Sequence, residues 1–358
     1  MRVRDISTAS RRLQRVVEGL LRPEAYPHPT ARISVLQTHA SYVLLTGEFA
    51  YKIKKPVDFG FLDYSSLARR RHFCHEEVRL NQRLSPEMYL GVVEIGESSG
   101  GIRIGPTEKV LEYAVKMIQL PEGRMMDQLL ARGKVSAGMV KQLAEKLVGF
   151  HLHARTDDGV TRYGCDDILL FNARENFSQL ALYLGRVLPA EQFEEVRAFS
   201  EDFIRCNGPL LAERVNRGRI REGHGDLRAQ NICFDDGIRI FDCIEFNERF
   251  RMCDVASDIA FLVTDLDYAG GTDLSHYFVR AYVDESGDKE CLGVIDYYKV
   301  YRACVRTKIE CLKLDEPEIV HDDRIQADKV ARGYCDLAMG YVRNSRYRVR
   351  PQPKTQST

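Results

Sequence analysis

Hydrophobic positions along the chain change their period several times, and each change predicts a new element. Apolar residues from Leu13 to Leu20 recur at helical spacing before Pro23, which predicts an amphipathic N-terminal helix. From Ile33 the pattern becomes that of strands rich in Val, Ile, Leu and Tyr, separated by polar turns, which is typical of an antiparallel meander. The three predicted strands are 33–36, 42–45 and 49–53.

A helix and two more strands follow this meander. Residues 65–84 place their apolar side chains on one face and their arginines on the other, as in a half-buried helix. Strands are predicted at 92–95 and 111–118, with a glycine-rich hairpin around Gly100 and Gly101 between them. We therefore expect a five-stranded antiparallel sheet with one helix.

Beyond residue 121 the composition turns helical. Apolar positions between Met139 and His151 mark one long helix, and residues 189–215 mark another. A strand–loop–strand unit at 223–246 interrupts the helices, which resume over 255–342. The fold class predicted from this order is α+β in two lobes.

Composition and charge narrow the range of partners. The chain has 358 residues, enough for two lobes, and its 52 basic residues equal its 52 acidic ones. Such a balance does not favour nucleic acid or an anionic membrane as a partner, and no apolar run is long enough to span a bilayer. Ten cysteines without a CxxC pair predict free thiols in the cytoplasm and no zinc site.

The strongest chemical signal is the run His-Gly-Asp-Leu-Arg-Ala-Gln-Asn at 224–231, followed by Ile-Phe-Asp at 240–242. Phosphoryl transfer needs a carboxylate that accepts the proton of the attacking hydroxyl, and oxygen ligands that hold Mg²⁺ on the phosphates. Asp226 and Asn231 lie five positions apart on one loop, and the next hairpin delivers Asp242. The spacing therefore predicts Asp226 as the base and Asn231 and Asp242 as the metal ligands.

This run resembles the HGDxxxxN catalytic loop of aminoglycoside phosphotransferases and choline kinases, in the protein-kinase-like superfamily. Residues 38–57 resemble the pattern THxSxVxLTGxxAYKxKKPV of a bacterial branch that is often fused to a P-loop domain. The resemblance covers about residues 30–345 and implies a bilobal kinase-like fold. Because the chain has no GxxxxGK[ST] motif, we expect the kinase-like part alone, with a separate P-loop protein as a partner.

The resemblance implies a strand lysine that grips the ATP phosphates and pairs with a helix glutamate. Lys52 and Lys54 lie on the same face of the third strand, and the family pattern favours Lys52. Glu77 lies beside the apolar stripe of the helix and is preferred to its neighbour Glu76. Both alternatives stay open.

Three residues are further candidates for nucleotide contacts. The turn 37–41 stands where protein kinases have a glycine-rich loop, and Ser41 could contact a phosphate there or simply complete a turn. The resemblance places the adenine against the strand that ends near residue 120, so we expect hydrogen bonds from backbone groups at Met117 and Gln119.

The metal aspartate is Asp242 and not Asp58, although residues 58–60 spell Asp-Phe-Gly, because Asp58 precedes the catalytic loop. Twelve positions separate Asp242 from Asp254, which leaves no room for a long activation loop. This short segment favours a small-molecule kinase over a protein kinase. A nucleotide-binding pseudoenzyme or scaffold is the other alternative.

The predicted domains are an N-terminal helix and connector (1–29), an N-lobe (30–120), a C-lobe (121–345) and a disordered tail (346–358). The predicted activity is ATP- and Mg²⁺-dependent phosphorylation of a small-molecule hydroxyl. Acidic residues such as Asp265 and Asp267 would suit an aminoglycoside or another cationic alcohol, but the acceptor stays open, because one fold serves many substrates.

Overall fold

The computed structural model describes residues 3–316, 319–345 and 347. These residues form two compact units. The first comprises the described residues up to Gln128 together with Gln230–Phe250, and the second comprises Leu129–Ala229 and the described residues from Arg251 onward. The chain thus returns to the first unit for one short segment.

The first unit contains an antiparallel sheet. Its strands are β1 (Ser34–Gln37), β2 (Ser41–Leu45), β3 (Phe49–Lys54), β4 (Tyr89–Ser98), β5 (Gly101–Ile104) and β6 (Val110–Ile118). Their order in the sheet is β1-β2-β3-β6-β4-β5, so the predicted count of five is wrong by one. The additional strand is β5, which pairs with the end of β4 directly after the glycine turn. The sequence Gly-Ile-Arg-Ile follows the glycine turn directly, and its two apolar residues do not distinguish a strand from the end of the turn.

Two helices pack on this sheet, α1 (Val3–Gly19) and α2 (Leu67–Asn81). Leu13 and Val16 of α1 share a buried cluster with Tyr51 of β3. Cys74 of α2 belongs to a second cluster, which includes Ala50 of β3. Because neighbouring strand residues point to opposite faces, α1 and α2 lie on opposite faces of the sheet.

A hairpin completes the first unit. It consists of β8 (Ile232–Asp235) and β9 (Gly237–Ile240), and Ile232 pairs with Ile240 in its register. Its last residue is fixed by Ser85, whose hydroxyl accepts from the Ile240 N–H and donates to the Ile240 carbonyl, both at 2.9 Å. The hairpin is thereby fastened beside the end of α2.

The second unit is mainly helical. Its helices, with the two that cross the unit boundaries, are α3 (Met126–Ala131), α4 (Ala137–His153), α5 (Asp158–Thr161), α6 (Asp166–Leu180), α7 (Ala190–Cys206), α8 (Gly208–Asn216), α9 (Glu248–Arg251), α10 (Val255–Tyr268), α11 (Thr272–Ser286), α12 (Cys291–Lys313) and α13 (His321–Asn344). Helix α10 is the buried centre and packs against α11, α12 and α13. Two short strands, β7 (Ile220–Glu222) and β10 (Met252–Asp254), pair antiparallel.

The single helix predicted over 189–215 is wrong, because the chain breaks it at residue 207. Asn207 leaves helical geometry, and Gly208 and Pro209 start α8. Proline is favoured in a first helical turn and disrupts a helix interior. The predicted disordered tail, apart from Tyr347, lies outside the described residues. None of the helices in the described ranges is long and apolar enough to cross a membrane.

Candidate active site

The first group of candidate residues joins β3 to α2. Lys52 Nζ donates to Glu77 Oε1 at 2.9 Å, and Lys54 Nζ donates to Glu77 Oε2 at 2.6 Å. Glu77 is fully buried, whereas Glu76 pairs with Arg79 on the surface at 2.9 Å. The two candidate lysines therefore share one carboxylate, and this carboxylate is Glu77.

Asp242 follows β9 and contacts Lys52 Nζ through Oδ1. Its φ of 64° is the only positive value at a non-glycine residue among the described residues. Residues other than glycine adopt this backbone conformation infrequently, and aspartate and asparagine do so more often than the rest. The Asp242 N–H donates to the Tyr89 hydroxyl at 3.1 Å, and the next N–H, of Cys243, donates to Asn81 Oδ1 at 2.9 Å. The Asp242 side chain is 42% exposed, so its carboxylate is accessible to a ligand.

Asn231 precedes β8 and lies at the same end of the hairpin as Asp242. The Phe241 N–H donates to the Asn231 carbonyl at 3.0 Å, which extends the hairpin by one pair. An amide oxygen and a carboxylate are hard oxygen ligands, which Mg²⁺ prefers. This donor set fits a magnesium site, with Asp242 partly open to solvent and Asn231 buried.

The partly buried Lys52 and the fully buried Glu77 both stay charged. Burial opposes the lysine charge, but Asp242 and Glu77 outweigh it and raise the pKa of Lys52 well above 10.5. Burial likewise opposes the Glu77 charge, but Lys52 and Lys54 hold its pKa below 4.5. At neutral pH these groups form an ion-pair network in which Lys52 carries a positive charge.

The loop that carries Asp226 belongs to the second unit and is held by its backbone. Asp258, which lies in the first turn of α10, accepts from the N–H groups of His224 at 2.7 Å and Gly225 at 2.8 Å. Gly225 has a φ of 85°, which a glycine adopts without strain. A Cβ on Gly223 would come within 2.6 Å of Asp258 Oδ2. The glycines therefore let the loop approach the carboxylate closely.

Asp258 is itself fixed by His151 of α4. His151 Nε2 lies 3.1 Å from Asp258 Oδ2, and its Nδ1 lies 2.8 Å from the Tyr282 hydroxyl. Burial opposes the Asp258 charge, but hydrogen bonds from His151 and His224 hold its pKa below the usual range. Asp258 therefore anchors the loop that carries Asp226, and His151 is engaged in a buried hydrogen-bond network.

The residues expected around the nucleotide have internal partners. Ser41 is buried at the start of β2, where its N–H donates to Thr38 Oγ1 at 3.0 Å. Met117 is buried near the end of β6. The Gln119 N–H donates to the Glu48 carbonyl at 3.0 Å, and its side-chain Oε1 accepts from Gly47 at 2.9 Å. An adenine would have to use other backbone groups near Met117 and Gln119, and the three assignments stay predictions.

Two residues beside these candidates were not predicted. Glu245 and Tyr64 contact each other, and both contact Lys54. Glu245 lies three positions after Asp242 in an otherwise apolar run, which is a weak signal for a buried charge. No comparable signal marks Tyr64, because its position depends on how the segment between β3 and α2 folds.

Uncharacterized proteins of Mycobacterium tuberculosis and Mycobacterium bovis are similar to this chain. Each is 31% identical over 293 residues, which cover 81% of this chain and 57% of the relative. The chain therefore spans little more than half the length of these relatives.

Several solved kinases resemble the chain distantly. A choline/ethanolamine kinase family protein from Mesorhizobium loti has a TM-score of 0.49 and 14% identity, covering 93% of this chain and 99% of the other. Ethanolamine kinase from Plasmodium vivax has a TM-score of 0.49 and 11% identity, covering 85% and 82%. Residue roles do not transfer at such identities.

The candidate base and the two candidate metal ligands lie in a part of the chain that matches a protein-family model. Residues 119–295 match the model of the phosphotransferase enzyme family. This region contains Asp226, Asn231 and Asp242, while Lys52 and Glu77 precede it. Residues 119–295 of the chain are thus similar to the phosphotransferase enzyme family.

Proposed function

We propose that the chain transfers the γ-phosphoryl group of Mg-ATP to a hydroxyl group of a small molecule. The observation that carries this proposal is the position of Lys52, whose Nζ contacts both Glu77 and Asp242. Phosphoryl transfer enzymes of the kinase type need a lysine at the phosphates, a glutamate that positions it and an aspartate at the metal. These three residues meet in the first unit.

Each residue then has one role. Asp242 and Asn231 hold Mg²⁺, which neutralises charge on the phosphates when bound. Lys52 contacts Asp242 in this structure. We expect its ammonium group to leave Asp242 and turn toward the phosphates while it stays paired with Glu77. Asp226 accepts the proton of the attacking hydroxyl. The loop hydrogen bonds to Asp258 fix the backbone that presents Asp226.

A small-molecule acceptor is favoured over a protein substrate. The residues between Asp242 and Asp254 enter secondary structure within a few positions, as α9 and β10. They offer no long segment that phosphorylation could order, which is the usual control in protein kinases. The complete set of Lys52, Glu77, Asn231 and Asp242 also argues against a pseudoenzyme.

Two of the acidic residues that would suit a polycationic acceptor are engaged within the second unit. Asp265 accepts from the Ala229 N–H at 3.0 Å and from the Tyr334 hydroxyl at 2.8 Å. Asp267 accepts from the Tyr341 hydroxyl at 2.6 Å. These contacts use both carboxylates for folding, so these two residues do not favour an aminoglycoside, and the acceptor stays open. The cytoplasmic location and the separate P-loop partner stay predictions.

Titration calorimetry of ATP with Mg²⁺ tests the proposal on wild type and on Asp242→Ala. We expect Mg²⁺-dependent binding to wild type, and loss of that dependence in the variant, because the carboxylate that holds the metal is gone. Asp236→Ala is the matched control, since Asp236 is exposed at the turn of the same hairpin. A wild-type protein that binds no nucleotide with or without Mg²⁺ contradicts the proposal.

A further inference from the structure

Lys54 is more deeply buried than Lys52 and points into a set of protein groups. It is 1% exposed, against 15% for the side chain of Lys52. Its Nζ contacts Glu77 at 2.6 Å, Tyr64 at 3.4 Å and Glu245. An ammonium group has three hydrogens to donate, and these three partners use them all. Lys54 therefore cannot bind a phosphate without giving up a buried partner.

Glu245 connects this set to the candidate metal ligand. It is buried and accepts from both Lys54 and the Tyr64 hydroxyl. Only two residues separate it from Asp242. We call Lys54, Glu77, Glu245 and Tyr64 the Lys54 cluster. The cluster thus ties the segment that carries Asp242 to β3 and α2.

We propose that Lys54 and Glu245 are positioning residues that hold the segment 242–245 so that the Asp242 carboxylate faces the metal. The metal part of this inference rests on the proposed function. Lys52 and Lys54 lie two positions apart on β3 and contact the two ends of that segment, Asp242 and Glu245. Both ends of the segment are therefore fixed to the same strand.

The two attachments have different parts during nucleotide binding. The Lys52 contact is partly exposed and must open when Lys52 turns toward a phosphate. The Lys54 contact is buried and stays closed, so it keeps Asp242 in place after its first partner has left. This matters because Asp242 has a φ of 64°, a backbone conformation that is uncommon outside glycine, and the remaining contacts help to hold it.

Charge within the network agrees with this arrangement. Two lysines, Lys52 and Lys54, face three carboxylates on Glu77, Asp242 and Glu245. The network therefore carries an excess of negative charge, which a divalent cation at Asp242 would balance. Without Lys54 the excess would grow, and Glu245 would lose its only ion-pair partner among the described contacts.

The segment keeps other attachments when the Lys54 cluster is removed, so variants can fold. Asn247 Nδ2 donates to the Phe61 carbonyl at 3.2 Å. The Phe61 ring lies 6.2 Å from the rings of both Phe246 and Phe250. The variants are Lys54→Met, Glu245→Gln and the double variant, which removes one charge of each sign and leaves the net charge unchanged. Lys109→Met is the control, because Lys109 is an exposed lysine of the same unit.

Amide hydrogen exchange without ligand measures the positioning directly. The N–H groups of Asp242 and Cys243 donate to Tyr89 and Asn81, so we expect slow exchange in wild type and in Lys109→Met. In the three cluster variants we expect these two amides to lose protection, while the β8–β9 hairpin keeps it. Unchanged protection at Asp242 and Cys243 in the double variant overturns the inference.

Titration of Mg²⁺ at fixed ATP gives the second measurement. Loss of an outer-shell partner weakens metal binding by about 10- to 100-fold, so we expect that change in the cluster variants, with metal-free ATP binding unaltered. An equal fall in both affinities indicates a merely structural role and overturns the inference. If wild type binds no Mg-ATP, the proposed function fails, and hydrogen exchange alone decides whether Lys54 and Glu245 position Asp242.

Discussion

At the scale of single residues, Asp226 stands apart because its loop is fixed through backbone groups. Asp258 accepts from His224 and Gly225, and the Asp226 N–H donates to His224 Nδ1 at 3.3 Å. Replacement of the Asp226 carboxylate by an amide therefore leaves the anchoring contacts of the loop in place. Asp226→Asn should alter the chemistry and not the fold.

We predict that Asp226→Asn lowers the rate of phosphoryl transfer by about a hundred- to ten-thousand-fold, the usual contribution of a general base. Binding of Mg-ATP should not change, because the residue is not a metal ligand in the proposal. ADP release in the presence of a screened hydroxyl acceptor measures the rate, and calorimetry measures binding. Asp284→Asn, at an exposed position of α11, is the control. A rate within threefold of wild type excludes Asp226 as the base.

The lysine alternatives show what a sequence can and cannot predict at this scale. Strand alternation places Lys52 and Lys54 on one face, and the structure has both on Glu77. Strand alternation in the sequence does not show which lysine is the more buried. That depends on Glu245, a residue almost two hundred positions away that reaches Lys54 only in the folded chain.

At the scale of elements, the strong periods were predictable and the short elements were not. Strands β1, β2, β3 and β6, and helices α2 and α4, lie close to their predicted ranges because each shows a clear hydrophobic period. The strand pair β7–β10 has three residues in each strand, and its strands are thirty positions apart. Such a pairing has no signal in a single sequence.

One buried arginine joins three elements of the second unit. Arg214 of α8 is 1% exposed, and its guanidinium contacts Asp254 at 2.6 Å and Asp288 at 2.9 Å. Asp254 caps α10, with its carboxylate accepting from the Ala256 N–H at 2.8 Å. Asp288 precedes α12. The arginine therefore balances two buried carboxylates at two helix starts.

We predict that Arg214→Met lowers the free energy of unfolding by about 3–5 kcal/mol, because the buried Asp254 loses its ion-pair partner and Asp288 keeps only Arg219, at 3.7 Å, among the described ion pairs. Arg217→Met is the matched control on the same chain segment. Arg217 is 49% exposed and pairs with Glu213 and Glu290, and exposed pairs contribute only about 0–1 kcal/mol. Urea unfolding followed by circular dichroism measures both. An equal decrease in the free energy of unfolding in the two variants would contradict the prediction that Arg214 stabilises the second unit more than Arg217 does.

At the scale of the whole molecule, the two compact units are not continuous stretches of the sequence. The predicted lobes, 30–120 and 121–345, are continuous stretches. In the structure Gln230–Phe250 belongs with the first unit, because Ser85 binds Ile240 and Lys52 contacts Asp242. The hydrophobic period does not predict this grouping, because it depends on neighbours in sequence and not on partners in space.

The buried ion pairs of both units set the pH range in which the molecule is stable. The pKa values of Glu77 and Asp258 are held below their ordinary values of 4.5 and 3.8, because lysines and hydrogen bonds outweigh the effect of burial. Their stabilisation is present above those ordinary values and is lost as the pH falls. Lys52 has a pKa raised above 10.5, so its stabilisation is present below that value and is lost as the pH rises.

We therefore predict that the free energy of unfolding is highest between about pH 5 and pH 10 and falls on both sides. Urea unfolding at a series of pH values measures this profile. Asp258→Asn should be less stable at neutral pH and should lose less stability on acidification than wild type, because the group that takes up a proton on unfolding is gone. Asp284→Asn should follow the wild-type profile. If the acid limb of Asp258→Asn is as steep as that of wild type, the acid sensitivity comes from other carboxylates, and the anchoring of the Asp226 loop by an ionised Asp258 loses its support.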